Sequence, residues 1–289
     1  MPLFGSDFLK YFDCHCDTLL KMYSDGKSFG GNGLDVDTDL LTDGADIVYA
    51  VFNDGSLKRE DMINIFSYFH GLDYPVGRAY LSVEGLGNQS DFELSDIELY
   101  SSLGVRMMSL TWNFDNVLSG GIGENLHGLT DLGRAAVAEM NRCNILTDIS
   151  HISDLAASEV IELSKMPVCA SHSNSRAVCN AERNLTDGLI KKISNSGGVV
   201  GVNFCSDFVC GHNCIDDVIC HIEHIAAVGG EKSVGIGSDF DGTDKKVSGL
   251  ENCGCIESLY ERMLTKNHSE TFIKRLLFGN FSELFKKYE

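Results

Sequence analysis

Apolar positions fall along the chain in eight short runs: Tyr11–Asp17, Ala45–Phe52, Ala79–Gly85, Val105–Thr111, Asn144–Ser150, Pro167–Ser173, Gly197–Phe204 and Ser233–Phe240. Most are rich in Val, Ile, Ala, Leu or Met, the pattern of strands buried on both faces. Between them, stretches such as Lys58–Gly71, Leu94–Leu103, Leu129–Arg142, Ser153–Lys165, Thr186–Ser196 and Ile215–Val228 carry apolar residues at helical spacing. Asp131, Ser153, Thr186 and Asp216 stand where N-caps belong, and stops fall at Gly71, Gly104, Gly197 and before Pro167. Strands alternating with helices at about thirty residues per unit predict an α/β fold, a (β/α)8 TIM-type barrel. An open doubly wound sheet would place a Gly-rich phosphate turn after its first strand, whereas here Thr18-Leu19-Leu20 follows. The glycine-rich segment from Ser24 to Gly44 lies too far from a helix start to cradle phosphate. No linker, low-complexity tract or repeat interrupts the alternation. Residues 1–289 are therefore expected to form a single domain, with His268–Tyr288 as a terminal pair of helices closing the barrel.

Chemistry in such a barrel sits at the C-terminal strand ends, and those ends are unusually polar here. They read His15-Cys16-Asp17, Ser82-Val83-Glu84-Gly85, Asp148-Ile149-Ser150-His151, Ala170-Ser171-His172-Ser173 and Gly237-Ser238-Asp239-Phe240-Asp241-Gly242. Side chains alternate along a strand, so His15 and Asp17 share a face and point inward, which sends Cys14 and Cys16 toward the surrounding helices. A single catalytic zinc takes three protein ligands, and His15, Asp17, Glu84, His151 and His172 make five. The count suggests two Zn2+ ions that share Glu84, one held with His15 and Asp17, the other with His151 and His172. Two ions about 3.5–4 Å apart would turn a shared water into hydroxide near neutral pH. A bridging lysine is absent from the fourth strand end, Ser109-Leu110-Thr111-Trp112, so the bridge falls to Glu84.

Composition narrows the partners. The net charge of −19 argues against nucleic acid and anionic membrane surfaces. The 11 cysteines are odd in number, scattered and without a C-x-x-C pair, so most are expected to fill space in a reducing cytosol. Neither Cys210-x-x-x-Cys214 around His212 nor Cys253-Gly-Cys255 has a matching pair for a structural zinc. The N-terminal residues lack a basic and apolar signal pattern, and no apolar run approaches a membrane span, which sets a cytoplasmic expectation. His221 and His224 flank Glu223 at the wrong spacing for a zincin helix and read as a solvated helix face. His70, His127, His212 and His268 show no convergent partners.

The motifs together resemble the membrane dipeptidase (renal dipeptidase) family of the amidohydrolase superfamily. They are Asp13-Cys14-His15-Cys16-Asp17-Thr18, Ser82-Val83-Glu84-Gly85, Leu110-Thr111-Trp112-Asn113, Asp148-Ile149-Ser150-His151, Ser171-His172-Ser173, Arg183-Asn184, Gly235 to Gly242 and Gly279-Asn280-Phe281. The resemblance implies hydrolysis of a short peptide, typically a dipeptide, at a binuclear zinc centre with the same five ligands. It also implies Arg183 as the binder of the substrate's C-terminal carboxylate and Asp239 as the acid/base. Where animal members carry a histidine that helps bind the tetrahedral intermediate, this chain has Trp112 followed by Asn113, which become the substrate-binding candidates. Where many relatives have tyrosine after the seventh-strand Asn-Phe, it has Cys205. Asp241 orients a ligand or starts the turn at Gly242, and the loop Ser119–Gly123 could flex over the site. Rival expectations keep the centre but change the substrate, to a dipeptide with a D-residue, an N-acyl amino acid or a β-lactam, or keep only binding of a peptide or metal. Family habit adds a homodimer.

Overall fold

The computed structural model describes residues 9–41, 44–123 and 127–289. Eight strands close into one parallel barrel in chain order. They are β1 (Tyr11–Cys16), β2 (Ala45–Phe52), β3 (Ala79–Glu84), β4 (Val105–Ser109), β5 (Leu146–Asp148), β6 (Cys169–Ala170), β7 (Val199–Val202) and β8 (Val234–Ile236). All but β2 are shorter than their apolar runs, because the C-terminal ends of the runs turn out of the sheet to form the mouth. Tyr49, Val51, Leu81, Val83, Met108, Val200 and Val202 pack into the cluster shared with the outer helices.

Helices fill the expected gaps. Ser153 accepts a hydrogen bond from Ala156 N at 3.1 Å and Thr186 from Leu189 N at 3.3 Å, as N-caps do. Two caps differ from expectation. Thr130, one residue before Asp131, accepts from Gly133 N at 2.9 Å. Asp217 rather than Asp216 takes Cys214 N at 3.0 Å, while Asp216 pairs with Arg262 at 2.6 Å. In both cases adjacent residues could serve, and the chain's entry angle selected between them.

The floor of the barrel is a separate apolar cluster of Phe12, Cys14, Val48, Met107, Leu146, Cys169 and Val199, sealed by Phe281, Leu284, Phe285 and Tyr288. The terminal segment is helical over Glu270–Lys274 and Asn280–Phe285, with a π-helical turn at Arg275–Gly279 between them. Its Phe281 ring lies so close to β8 that a Cβ on Gly235 would stand 2.4 Å from it, which explains glycine there.

Cys14 therefore faces the barrel interior, contrary to simple alternation, while Cys16 packs outward as expected. The cause is a register irregularity between Asp13 and Cys16 in the β1–β2 ladder. It changes the phase of β1, so Cys14 and His15 both point in. Cys179 and Cys210 form a disulfide, while the other nine cysteines are free, as expected for most of them. The bridged pair lies 31 residues apart on the segments after β6 and β7, a pairing that spacing alone does not reveal. Among the described residues, no helix is long and apolar enough to cross a membrane.

Candidate metal centre and active site

The seam between β1 and β8 sets the first half of the site. Asp13 Oδ1 accepts from Ser238 N at 2.8 Å, His15 O from Asp239 N at 3.2 Å, and Phe240 O from Asp17 N at 2.9 Å. These bonds bring His15 and Asp17 level with Asp239. Their side-chain ligand atoms lie within 4.8 Å of one another. Glu84 enters from the end of β3, and His151 and His172 from the segments after β5 and β6.

All five expected ligands meet. Glu84 Oε2 lies 3.7 Å from His15 Nε2, and its Oε1 lies 2.9 Å from His151 Nε2 and 3.5 Å from His172 Nε2. His15 Nε2 is 3.5 Å from Asp17 Oδ2. Glu84 thus turns one oxygen to each side, the geometry a bridging carboxylate needs. His15 and His172 stack with ring centroids 3.7 Å apart.

The donor set fits divalent cations. His15 Nε2, Asp17 Oδ1 and Glu84 Oε1 are buried with no hydrogen-bond partner. Each such atom costs about 1–3 kcal/mol unless something else satisfies it. Asp17, Glu84 and Asp239 also crowd one imidazole. Burial opposes a charge on His15, but Glu84 and Asp17 outweigh it and push its pKa up to about 10. Burial raises the carboxyls of Glu84 and Asp239. Burial, with the nearby Arg183 and His15, holds His151 and His172 well below the ordinary value, in the neutral form that ligates metal.

Several mouth residues adopt left-handed backbone that non-glycine residues avoid: Asn113 at φ 42°, His151 at 68°, Asp239 at 65° and Asp241 at 64°. Such conformations cluster where geometry matters more than local comfort. Asn203 Nδ2 donates to Asp239 Oδ2 at 2.9 Å and holds its second oxygen. Sequence reading passed over Asn203, although it sits at the end of β7 where the other strand ends are polar. Asp241 accepts from Thr18 Oγ1 at 2.6 Å and Lys21 Nζ at 3.3 Å, so it braces the helix after β1 rather than a ligand.

A cleft of about 590 Å³ opens above these groups, with Trp112, Asn113, Phe52, Phe208 and Cys205 among its walls. The Trp112 ring packs edge-on against Phe52 at 4.9 Å. Asn113 Oδ1 lies 2.8 Å from His151 Nδ1. Arg183 does not line the cleft. It lies buried behind His172, with Nη1 donating to Ser173 Oγ at 2.7 Å and Nη2 to His172 O at 2.9 Å, while Nε has no partner. The loop Ser119–Gly123 is tied to the segment after β5: Ile122 N donates to His151 O at 3.0 Å and Ser153 N to Gly120 O at 2.9 Å. His70, His127, His212, His224 and His268 stand outside the centre, as expected. His221 does too, but it is fully buried instead of solvated.

Comparison with known proteins agrees with this architecture. The family model for membrane dipeptidase, peptidase family M19, matches residues 77–289. An uncharacterized dipeptidase of Schizosaccharomyces pombe is 36% identical over 219 residues, 72% of this chain and 52% of that protein. Human dipeptidase 3 is 33% identical over 221 residues, 72% of this chain and 44% of that protein. The chain thus spans about half the length of the curated relatives it matches. In fold it resembles a metallo peptidase from Rhodobacter sphaeroides, solved with a phosphinate mimic of the dipeptide L-Ala-D-Ala, at TM-score 0.83 and 23% identity over 98% of this chain and all (100%) of that one. It also resembles a dipeptidase of family M19, at TM-score 0.85 and 23% identity over 98% of this chain and 99% of that one. With a family match over most of its length and relatives above 30% identity, the chain belongs to the membrane dipeptidase family, peptidase family M19.

Proposed function

We propose that the chain is a binuclear zinc dipeptidase. The observation that carries this reading is Glu84, buried between His15 on one side and His151 and His172 on the other, with one carboxylate oxygen toward each. His15, Asp17 and Glu84 would hold one ion, and Glu84, His151 and His172 the other. Bound there, the ions would supply activation of a water as nucleophile near neutral pH and polarisation of the scissile carbonyl.

The chain's own residues do the rest. Asp239, held by Asn203, takes the proton from the attacking water and passes it to the departing amine. Trp112 offers an indole N–H from the cleft wall to the developing oxyanion. The role the resemblance implies for Arg183, pairing with the substrate's terminal carboxylate, would require the side chain to leave its place behind His172, where Ser173 Oγ and His172 O hold its terminal nitrogens. The cleft volume of about 590 Å³ suits a small molecule, which favours short peptides over protein substrates. The phosphinate bound by the Rhodobacter protein suggests including D-residues at the second position.

A second reading, a barrel that binds peptide or metal with little turnover, rests on Trp112 in place of the family's histidine. One experiment separates the two: turnover on a panel of L,L and L,D dipeptides, with zinc quantified, for the wild type and Glu84→Ala. Zinc-dependent hydrolysis lost in the variant supports the enzyme. Zinc without hydrolysis across the panel leaves the binder, and no bound zinc overturns both.

A further inference from the structure

We infer that Asn113 is a positioning residue for His151, fixing which ring nitrogen carries the proton, and is not a substrate contact. The inference deepens the proposed metal centre and rests on it. His151 Nε2 faces Glu84 Oε1 at 2.9 Å and His172 Nε2 at 2.8 Å. A nitrogen that offers its lone pair to a cation there cannot also carry the proton. The proton then belongs on Nδ1, and Nδ1–H needs an acceptor. Asn113 Oδ1, at 2.8 Å, is that acceptor.

The other histidine of the pair obeys the same logic through different residues. Ser171 Oγ lies 2.5 Å from Asp148 Oδ2 and 2.7 Å from His172 Nδ1. A carboxylate only accepts, so the hydroxyl proton goes to Asp148, and the hydroxyl oxygen accepts from His172 Nδ1–H. Both neutral imidazoles are thereby set to present Nε2 to the same place. Partners of this kind commonly orient metal-binding histidines.

The backbone around Asn113 is built to hold this contact. Asn113 O accepts from Gly123 N at 2.5 Å, and His151 O accepts from Ile122 N at 3.0 Å and Thr111 Oγ1 at 3.1 Å. The segments after β4 and β5 are thus tied on both sides of the Asn113–His151 pair. Asn113 itself takes a left-handed conformation, φ 42°, which Asn tolerates better than most residues. Substrate contacts need no such bracing from the far side of the ring.

The test uses Asn113→Gly, which removes the acceptor yet accepts the left-handed backbone, and Asn113→Asp, which keeps an acceptor at the same reach. Zinc-loaded wild type and variants are challenged with a chelator, and zinc release is followed together with kcat and KM on a dipeptide the wild type cleaves. We expect Asn113→Gly to release zinc about 10–100-fold faster, and Asn113→Asp to restore retention to near the wild-type rate. A substrate contact would instead raise KM and leave zinc release unchanged in Asn113→Gly, which overturns this inference alone. Unchanged release with unchanged kinetics overturns it equally. A wild type that binds no zinc overturns the metal centre and this inference with it.

Discussion

Gly242 is exposed at the rim, yet a single methyl there should disable the centre. A Cβ at this position would stand 2.2 Å from Asp17 Oδ2 and 2.4 Å from Asp239 Oδ1. To regain ordinary contact, each carboxylate oxygen must retreat by about 1 Å. The retreat cannot be shared with the backbone, because Gly242 N is bonded to Asp239 O at 3.1 Å and Asp17 N to Phe240 O at 2.9 Å. The displaced groups are one proposed metal ligand and the proposed acid/base. A misplacement of about 1 Å in such a site costs about 100-fold in rate, or about 2.7 kcal/mol of transition-state stabilisation. Gly242→Ala should therefore lower kcat/KM on a dipeptide by about that factor and weaken zinc retention at the His15–Asp17 side. Its thermal unfolding should stay close to wild type, since the methyl enters no packed core. The assay pairs kcat/KM with zinc content and a melting curve. A variant that keeps full zinc and kcat/KM within about threefold of wild type would show that neither carboxylate works from where it stands.

Two further perturbations probe the scaffold. His221 is buried, with Nδ1 accepting from Ser175 N at 3.1 Å and Nε2 bonded to Val209 O at 2.9 Å. Burial lowers its pKa in the fold, so the unfolded chain takes the proton first as pH falls. Its stabilising contribution is whole above the unfolded value of about 6.5 and declines below it toward the folded pKa. Melting temperature measured between about pH 7 and 5 should fall more steeply for wild type than for His221→Gln, and parallel slopes would refute the assignment. His151 and His172 titrate in both proteins and cancel from the difference. The Cys179–Cys210 bridge closes a loop of 31 residues, so the double variant Cys179→Ser, Cys210→Ser should lose about 3–4 kcal/mol in denaturant unfolding. Asn184 Nδ2, which donates to Cys179 O at 2.9 Å and Phe208 O at 2.8 Å, still ties the same two segments. Activity should survive, and a variant that is folded but inactive would show the bridge to be part of the site's geometry.

Most of this architecture was legible because it follows from period and position. Alternating runs marked the strands, and polar strand ends marked the mouth, so Glu84, His151 and His172 could be assigned to one site without knowing any distance. Three features were not legible, each for a physical reason. The Cys179–Cys210 pairing depends on how two irregular segments cross above the sheet. The burial of His221 depends on which face of its helix meets the segment after β6, and mixed polar and apolar neighbours hide that face. Arg183 sits behind His172 because its two terminal nitrogens find Ser173 Oγ and a backbone carbonyl there, a choice no motif records.

The remaining misreading, the phase of β1, says most about how the site is made. Strict alternation would let either Cys14 or His15 face inward, and both do. Phe12 and Cys14 must point in to fill the floor beneath Phe281 and Phe285. His15 and Asp17 must point in at the mouth to reach Glu84 and Asp239. One strand serves both layers only by slipping a residue between them, and the irregularity from Asp13 to Cys16 is that slip. Asp13 secures it from outside, accepting from Tyr11 Oη at 2.6 Å, from Ser238 N at 2.8 Å and from its neighbour His15 N at 3.3 Å. The bond from Ser238 N, with the pairing of Asp13 and Ile236, joins β1 to β8 and closes the barrel. The family match starts at residue 77, beyond β1 and β2, so the residues it covers hold only part of the centre. Closing the sheet with β1 is what delivers His15 and Asp17, so barrel closure and completion of the proposed metal centre are one structural event.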